Sequence, residues 1–458
     1  MRHRAPLLFV LALVLPLLLA ASASAVSLKL PAWVAIYSGS PAADIFFDVA
    51  RGPGDVLYAV GVTRATEEVS TLLLGKYKAN GTVLWKRTYT MSGVTGSAGA
   101  AVRVNKWGNV LIAGSVGRPP SSSATGRDIV VLKYSPAGKL LWATRYGGPA
   151  GKDDHPTDMA IDAEGTTYVV GASTGTGTGL DYALLRVRGD GRLQWAFRYA
   201  GPGRYDYPTG IALDSDLNSY VTGESRGAGG TVAAATLKVS RSGHLIWQKR
   251  LRYGTGDDTR GADIVVKGGG VAGVYIGGTA GFGTPAHDDM IVARVSTQSG
   301  AKRSIGHADL FNQDETGSKL AVDDAGNAYV AGDSVAAAPP HVRHGLVAKV
   351  PYGGGLDWVG MYFLDAVENE SSLQAIGLDA AGNVYVGGYA DRTVGGSDIF
   401  VCSVEPDRTP RWVSAQAGNA GNDDFCRALV VRTNGVFVVG QAEYVGSGID
   451  ALIEKIHR

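Results

Sequence analysis

The chain has 458 residues, with 43 Lys+Arg against 42 Asp+Glu; residues 1–25 hold Arg2 and Arg4 but no acid, so without them the balance is 41 against 42. A charge this close to zero, without basic clusters, excludes nucleic acid and an anionic membrane surface as partners. The 65 glycines, beside 45% apolar residues, fit many short strands joined by tight turns around a large core.

At the N-terminus, Arg2, His3 and Arg4 precede an apolar run over 5–20, and Ala23-Ser24-Ala25 forms an A-x-A exit. This predicts a secretory signal at 1–25 that is cleaved before Val26, because the run is shorter than the roughly 20 residues a span needs. No other apolar run approaches that length. The mature chain is therefore expected to be secreted, periplasmic or held at the cell surface, with no membrane span after cleavage.

The mature chain opens on a strand around Trp33, the first rung of a ladder that continues through Trp85, Trp142, Trp195, Trp247, Trp358 and Trp412. The steps are 52, 57, 53, 52, 111 and 54 residues, so one rung is missing, at Ser304. A period near 50 marks propeller blades. The unit from Asp154 to Tyr199 contains four short β-rich segments, at 159–162, 168–171, 182–187 and 195–199, read as antiparallel strands A, B, C and D. The B segment recurs eight times, from Tyr58, Val110, Tyr168, Tyr220, Val274, Tyr329, Tyr385 and Val436. The C segment recurs eight times as well, ending with DALIEKI from Asp450.

A four-stranded sheet of this size cannot bury its faces alone. The expected fold is therefore all-β: one domain over 26–458, an eight-bladed β-propeller of four-stranded antiparallel blades. The last repeat stops at strand C while the chain opens on a D-like segment, so the N-terminal strand is expected to close the ring and remove two exposed edges. Cys402 and Cys426 are assigned to strands at different radii, which favours two free thiols.

Several motifs resemble the SBBP-type bacterial β-propeller repeat of secreted and surface proteins. They are WATRYGG from Trp142, an acid-containing loop, the hairpins DDAGNAYVAG from Asp323 and DAAGNVYVGG from Asp379, and the Y-V-x-G strand. The resemblance spans nearly all of the mature chain and implies a propeller without an assigned function. Ser304 and the stretch 99–104, which lacks the usual preceding acid, depart from it.

Near the start of strand A an acid recurs in seven repeats, Asp44, Asp154, Asp206, Asp258, Glu315, Glu370 and Asp424, with Ser97 in the other. If A is innermost, these acids ring the channel mouth. Such a ring suits Ca²⁺, which wants several oxygen ligands; the simpler reading is that each carboxylate caps its own glycine-rich loop. No other cofactor is implied. The hairpin acids Asp162, Asp214, Asp323 and Asp379 read as turn caps. Acids opening strand C, including Asp128, Asp181 and Asp289, are expected to pair with bases farther along that strand, such as Lys133, Arg186 and Arg294.

Specificity has to be written where the repeat is broken. His287, His341 and His344 fall in neighbouring loops and, with Asp44 and Asp424, are candidate metal ligands, though their spacing matches no strong motif. His155, Arg204, Tyr205 and Tyr207, beside Asp154, Asp206, Asp258 and Glu315, make an aromatic and polar sector suited to peptide or sugar. No nucleophile, Cys/His dyad or phosphate loop is recognisable. The favoured reading is a non-enzymatic module that binds protein, peptide or glycan through its loop rim. A quinone-dependent dehydrogenase-like propeller, suggested by Gly-x-x-x-Trp as in 138–142, and a polysaccharide lyase or hydrolase are the alternatives.

Overall fold

The computed structural model describes residues 26–458 apart from 40–41, 67–68, 93, 95, 118–125, 254–257, 283–286, 310–312, 336–341, 363–369, 392–395, 417, 419–422 and 446–447. Among the described residues the strands form five separate four-stranded antiparallel sheets, one five-stranded sheet and one eight-stranded sheet. Each four-stranded sheet is one sequence repeat with its strands in chain order. In the third repeat these are Asp154–Ile161, Thr167–Gly175, Gly179–Val187 and Leu193–Tyr199. No helix among the described residues is long and apolar enough to cross a membrane.

Strand A begins five residues before the apolar segment that announced it, because a β-bulge interrupts its alternation. The bulge falls between Pro156 and Asp158 and recurs at the same place in every repeat, from Phe46/Asp48 to Cys426/Ala428. One extra residue swings the following side chains to the other face. It also explains the glycine of Y-V-x-G. A Cβ on Gly171 would lie 2.3 Å from the His155 carbonyl oxygen, and one on Gly332 only 1.8 Å from that of Thr316. The bulged carbonyl leaves no room for any side chain.

The tryptophans hold neighbouring repeats together. Five of them lie against the B-strand Tyr of their own repeat, as Trp85 does on Tyr58 at 5.8 Å and Trp247 on Tyr220 at 5.9 Å. Except at Trp412, the indole N–H of each ladder tryptophan reaches the C-to-D hairpin of the next repeat: Trp85 donates to Pro136 O at 3.1 Å, Trp142 to Gly189 O at 3.0 Å and Trp358 to Pro406 O at 2.9 Å. The hairpin glycine of Gly-x-x-x-Trp sits under that ring. Gly191 has φ 90° and its missing Cβ would meet Trp142 at 2.8 Å, so two independent constraints demand glycine. At the missing rung, Ser304 faces Gly354, while Arg294 stacks on Tyr352 at 3.7 Å.

The first and last repeats meet as their neighbours do. Pro31–Tyr37 pairs antiparallel with Gly448–Ile456, and Trp33 packs on Phe437 at 6.1 Å while donating to Ala79 O at 3.0 Å. Ala43 bridges Ile449 in parallel, as Gly96 bridges Ser70 and Tyr205 bridges Leu180. A buried apolar cluster joins Phe46, Leu57 and Leu73 to Phe437, Val439 and Ile453, the counterpart of the clusters between other successive repeats. Strand A of the last repeat, Phe425–Arg432, also lies against the first, Ala43–Gly52. A short strand outside the sequence expectation, Ser27–Leu28, adds in parallel to the outer edge of Pro410–Gln416. Cys402 and Cys426 are free and fully buried; burial raises the Cys402 thiol to about 12.

Candidate functional site

The recurrent acids of strand A turn into their own loops. Asp44, Asp154 and Asp206 are fully buried, and each accepts a backbone N–H, from Gly39, Gly148 and Gly201 respectively, at 2.6 Å. Asp424 takes Gly418 in the same way, and burial raises its carboxyl to about 6. The equivalent positions in other repeats hold Ser97, Thr259, Glu315 and Ser371, all buried; Thr259 accepts from Tyr253 N–H at 3.0 Å. Asp258 and Glu370 thus stand one residue earlier than their supposed counterparts. Asp258 instead accepts Val232 N–H from the preceding repeat at 2.7 Å, a stitch repeated by Asp153 to Arg127, Asp314 to Asp288 and Asp423 to Ser397.

One residue farther along strand A, the side chains of adjacent repeats meet at the rim. His155 and Tyr207 rings lie 6.3 Å apart, and Tyr205 stacks on Tyr207 at 6.3 Å with 12° between the planes. Arg226 covers Tyr205 at 5.5 Å, and Arg204 beside them is exposed. Charge continues the strip: Arg260 contacts Asp258 at 2.7 Å, Asp288 at 3.5 Å and Glu224 at 3.9 Å. Burial, the nearby Tyr205 and Glu224 all raise the Tyr207 phenol, so this hydroxyl is a hydrogen-bond donor at neutral pH.

Past the bulge, a second charged group gathers where the A strands converge. Arg103 donates to Asp48 at 2.8 Å and to Asp158 at 2.9 Å, bridging the first three repeats. Asp263, Asp158 and Asp48 together raise the Lys319 ammonium against the cost of its burial. Burial lifts Asp48 and Asp263, opposed by Arg103 and Lys319 respectively and by backbone N–H donors. Three carboxylates and two cations from repeats one, two, three, five and six are thus electrostatically coupled. The sequence signal was a second charged residue four positions after the first acid, as in Asp44/Asp48 and Asp154/Asp158; without the bulge both would have been assigned to one face. Replacing Arg103 by Met is expected to cost about 1–2 kcal/mol, allowing for solvent screening. Urea denaturation would check it, and the cost should shrink in a background of Asp48→Asn and Asp158→Asn.

The acids that open strand C find their bases on strand D. Asp181 binds Arg198 at 2.7 Å, Asp128 binds Arg145, and Asp289 contacts His307 at 2.8 Å. The expected same-strand partners point elsewhere: Lys133 donates to Gly189 O at 2.9 Å, and Arg186 lies over Tyr168 at 5.4 Å. The hairpin acids do cap their turns, Asp323 accepting Ala325 and Asn327 N–H at 3.0 and 2.8 Å.

Among the described residues one group of carboxylates has converging oxygens, Asp289, Asp309 and Glu315, whose ligand atoms lie within 4.8 Å of one another. Such a group is able to coordinate a divalent cation. Glu315 also accepts Ser334 Oγ at 3.0 Å. His287 opens a C strand half-buried and His344 is buried; neither belongs to this group, nor do Asp44 and Asp424. His341 lies outside the described residues.

The family model for the SBBP beta-propeller repeat matches residues 194–230. The chain carries an SBBP repeat. The matched stretch runs from strand D of the third repeat through strand B of the fourth and includes Tyr205, Tyr207 and Arg226. No curated protein matches the chain. Among solved structures, a protein of unknown function from Dyadobacter fermentans DSM 18053 is similar at 10% identity and TM-score 0.43, covering 93% of this chain and 98% of that one. The polysaccharide lyase Uly1 is similar at 12% identity and TM-score 0.43, covering 78% and 89%. The beta-propeller domain of the Trilobed protease from Pyrococcus furiosus is similar at 6% identity and TM-score 0.40, covering 80% and 93%.

Proposed function

We propose that residues 26–458 form one eight-bladed propeller closed by the N-terminal strand, acting after export as a non-enzymatic binding module. Closure is supported by Trp33, which docks on the first repeat as every other docked rung does on its successor, and by the Ala43–Ile449 bridge. Export to the periplasm, cell surface or medium is supported by the leader-like segment at 1–25. The charges at the centre are paired with one another across repeats, which suits holding the ring together more than turning over a substrate.

The observation that carries the binding reading is the parallel Tyr205–Tyr207 stack, flanked by His155 and Arg226. Aromatic rings and Arg on a half-open surface are what polypeptide ligands bury, and the Glu224–Arg260–Asp258 strip offers both signs of charge beside them. A polypeptide is therefore favoured over a glycan. A displayed peptide library and a glycan array, each screened against the protein and against a Tyr205→Ala/Tyr207→Ala variant, decide between them. Peptides selected by the protein are expected to bind the variant at least about 10-fold more weakly, at unchanged melting temperature. Ligands that bind both equally would place the function on another surface. Ca²⁺ belongs to this reading through Asp289, Asp309 and Glu315: added Ca²⁺ is expected to raise the melting temperature, and Glu315→Gln to abolish the rise. No rise with the unaltered protein removes Ca²⁺ as cofactor.

A further inference from the structure

Where repeat eight meets repeat seven, the rim opens into a cleft of about 300 Å³. Phe425 stands there one residue past Asp424, as His155 stands past Asp154 and Tyr207 past Asp206. The Tyr389 ring meets it at 5.0 Å and 84°, so the two half-buried aromatics form a corner. Glu370, Asp391 and Asp423 complete the walls with Ser397. The charge is the reverse of that at repeat four. Asp391 N–H donates to Glu370 O at 2.7 Å as Arg226 N–H does to Tyr205 O at 2.9 Å, so two acids hold the places of the arginine and tyrosine of the other surface. Burial raises the Tyr389 phenol, with Arg343 opposing and Asp333, Glu370 and Asp391 reinforcing, so the ring brings no charge of its own.

Among the described residues no Lys, Arg or His forms an ion pair with any of these three carboxylates. Asp391 accepts Ser397 Oγ at 2.5 Å and Asp423 accepts Ser397 N–H at 3.1 Å. Two bases stand beside the corner, and both are engaged: Arg343 with Asp333 at 3.2 Å, and Arg427 with Gln374 and Gln441 at 3.3 Å each. A divalent metal ion needs several oxygens aimed at one point, yet the described carboxylates that converge in that way are Asp289, Asp309 and Glu315. Acids spread around an aromatic corner suit a larger, planar cation instead. Arg427 displays the fit within the chain, its guanidinium lying 5.0 Å from the centre of the Phe425 ring. We propose that this cleft receives an arginine side chain of a polypeptide ligand, whose guanidinium packs into the aromatic corner while the carboxylates accept its N–H groups. The cleft is at the small end of the range for ligand sites, with room for one long side chain and not for a whole ligand. The proposal rests on the polypeptide reading above and gives it a second, separate anchor of opposite charge.

The test titrates the whole mature chain with acetyl-Gly-Arg-Gly-amide and follows the line widths of the peptide's own NMR signals. Saturable broadening of the arginine resonances is expected. The same peptide with citrulline, which keeps the shape of arginine but not its charge, is expected to show none. A Glu370→Gln/Asp391→Asn variant of unchanged melting temperature should bind about 5-fold more weakly or worse, through the loss of two screened ion pairs. Glu370 is exposed, so Glu370→Gln alone, expected to weaken binding about 2-fold or more, serves if the double variant does not fold. The Tyr205→Ala/Tyr207→Ala variant should bind as the unaltered protein does; loss of binding there would move the arginine to that surface and overturn this cleft. No binding by the unaltered protein, equal binding of the citrulline peptide, or equal binding to the acid variants would overturn it as well, and leave the Tyr205–Tyr207 surface to its own test. A lysine peptide that binds as tightly would overturn the choice of arginine.

Discussion

Replacing Glu454 by Gln is expected to flatten the dependence of stability on pH between about 5 and 8. Glu454 lies on the last C strand, opposite Val34 of the N-terminal strand, at the position Leu132 holds in the second repeat. It is fully buried, and among the described residues neither carboxylate oxygen has a hydrogen-bond partner. Burial, with Asp424 adding repulsion, raises its carboxyl from 4.5 to about 8. The other titratable groups facing it are Cys426 and Tyr444, neither of them cationic. The folded chain therefore keeps a proton that the unfolded chain has lost, so stability is highest below pH 4.5 as far as this group decides it and falls as pH rises through 8. The whole shift corresponds to roughly 5 kcal/mol. Urea midpoints at pH 5, 7 and 9 would check this; a Glu454→Gln protein with the slope of the unaltered chain would sink it. Glu454→Leu, which restores the residue type of the second repeat, should gain stability most at high pH.

Trp33→Ala should destabilise the fold by about 2–4 kcal/mol, because it removes a half-buried indole that joins two sheets. Trp107→Ala is the control: that ring is exposed and its loss should be nearly silent. Deleting residues 26–38 should do more, since it uncovers the edge of Gly448–Ile456, whose Leu452 and Ile453 are fully buried, and the protein is expected to aggregate on heating. If denaturation cannot separate Trp33→Ala from Trp107→Ala, the N-terminal strand is an appendage and the proposed closure fails.

The strands, their order and the pairing of the two chain ends were legible from the sequence, because the period of the Trp and Y-V-x-G motifs reflects contacts every repeat must make. The charged group of Asp48, Arg103, Asp158, Asp263 and Lys319 was not. Its members belong to different repeats, and a bulge shifts their phase, so alternation counted along one strand assigns them to the wrong face. The partners of the C-strand acids were missed for a related reason. Lys133 and Arg186 are nearer in sequence, yet Arg145 and Arg198 are the ones brought alongside when strand D folds back. Asp258 illustrates the same limit at finer grain: an acid one residue off register serves the preceding repeat instead of its own loop.

The seam between Pro31–Tyr37 and Gly448–Ile456 also sets the order of events in folding. Trp33 is synthesised early and its strand partner Lys455 more than four hundred residues later, so the first strand waits longest for its place. Closing so long a loop is slow compared with forming each local sheet. Until then the repeats are joined by their Trp contacts but the two terminal edges stay bare, which is the interval in which the chain is most exposed to proteases and to pairing with another molecule.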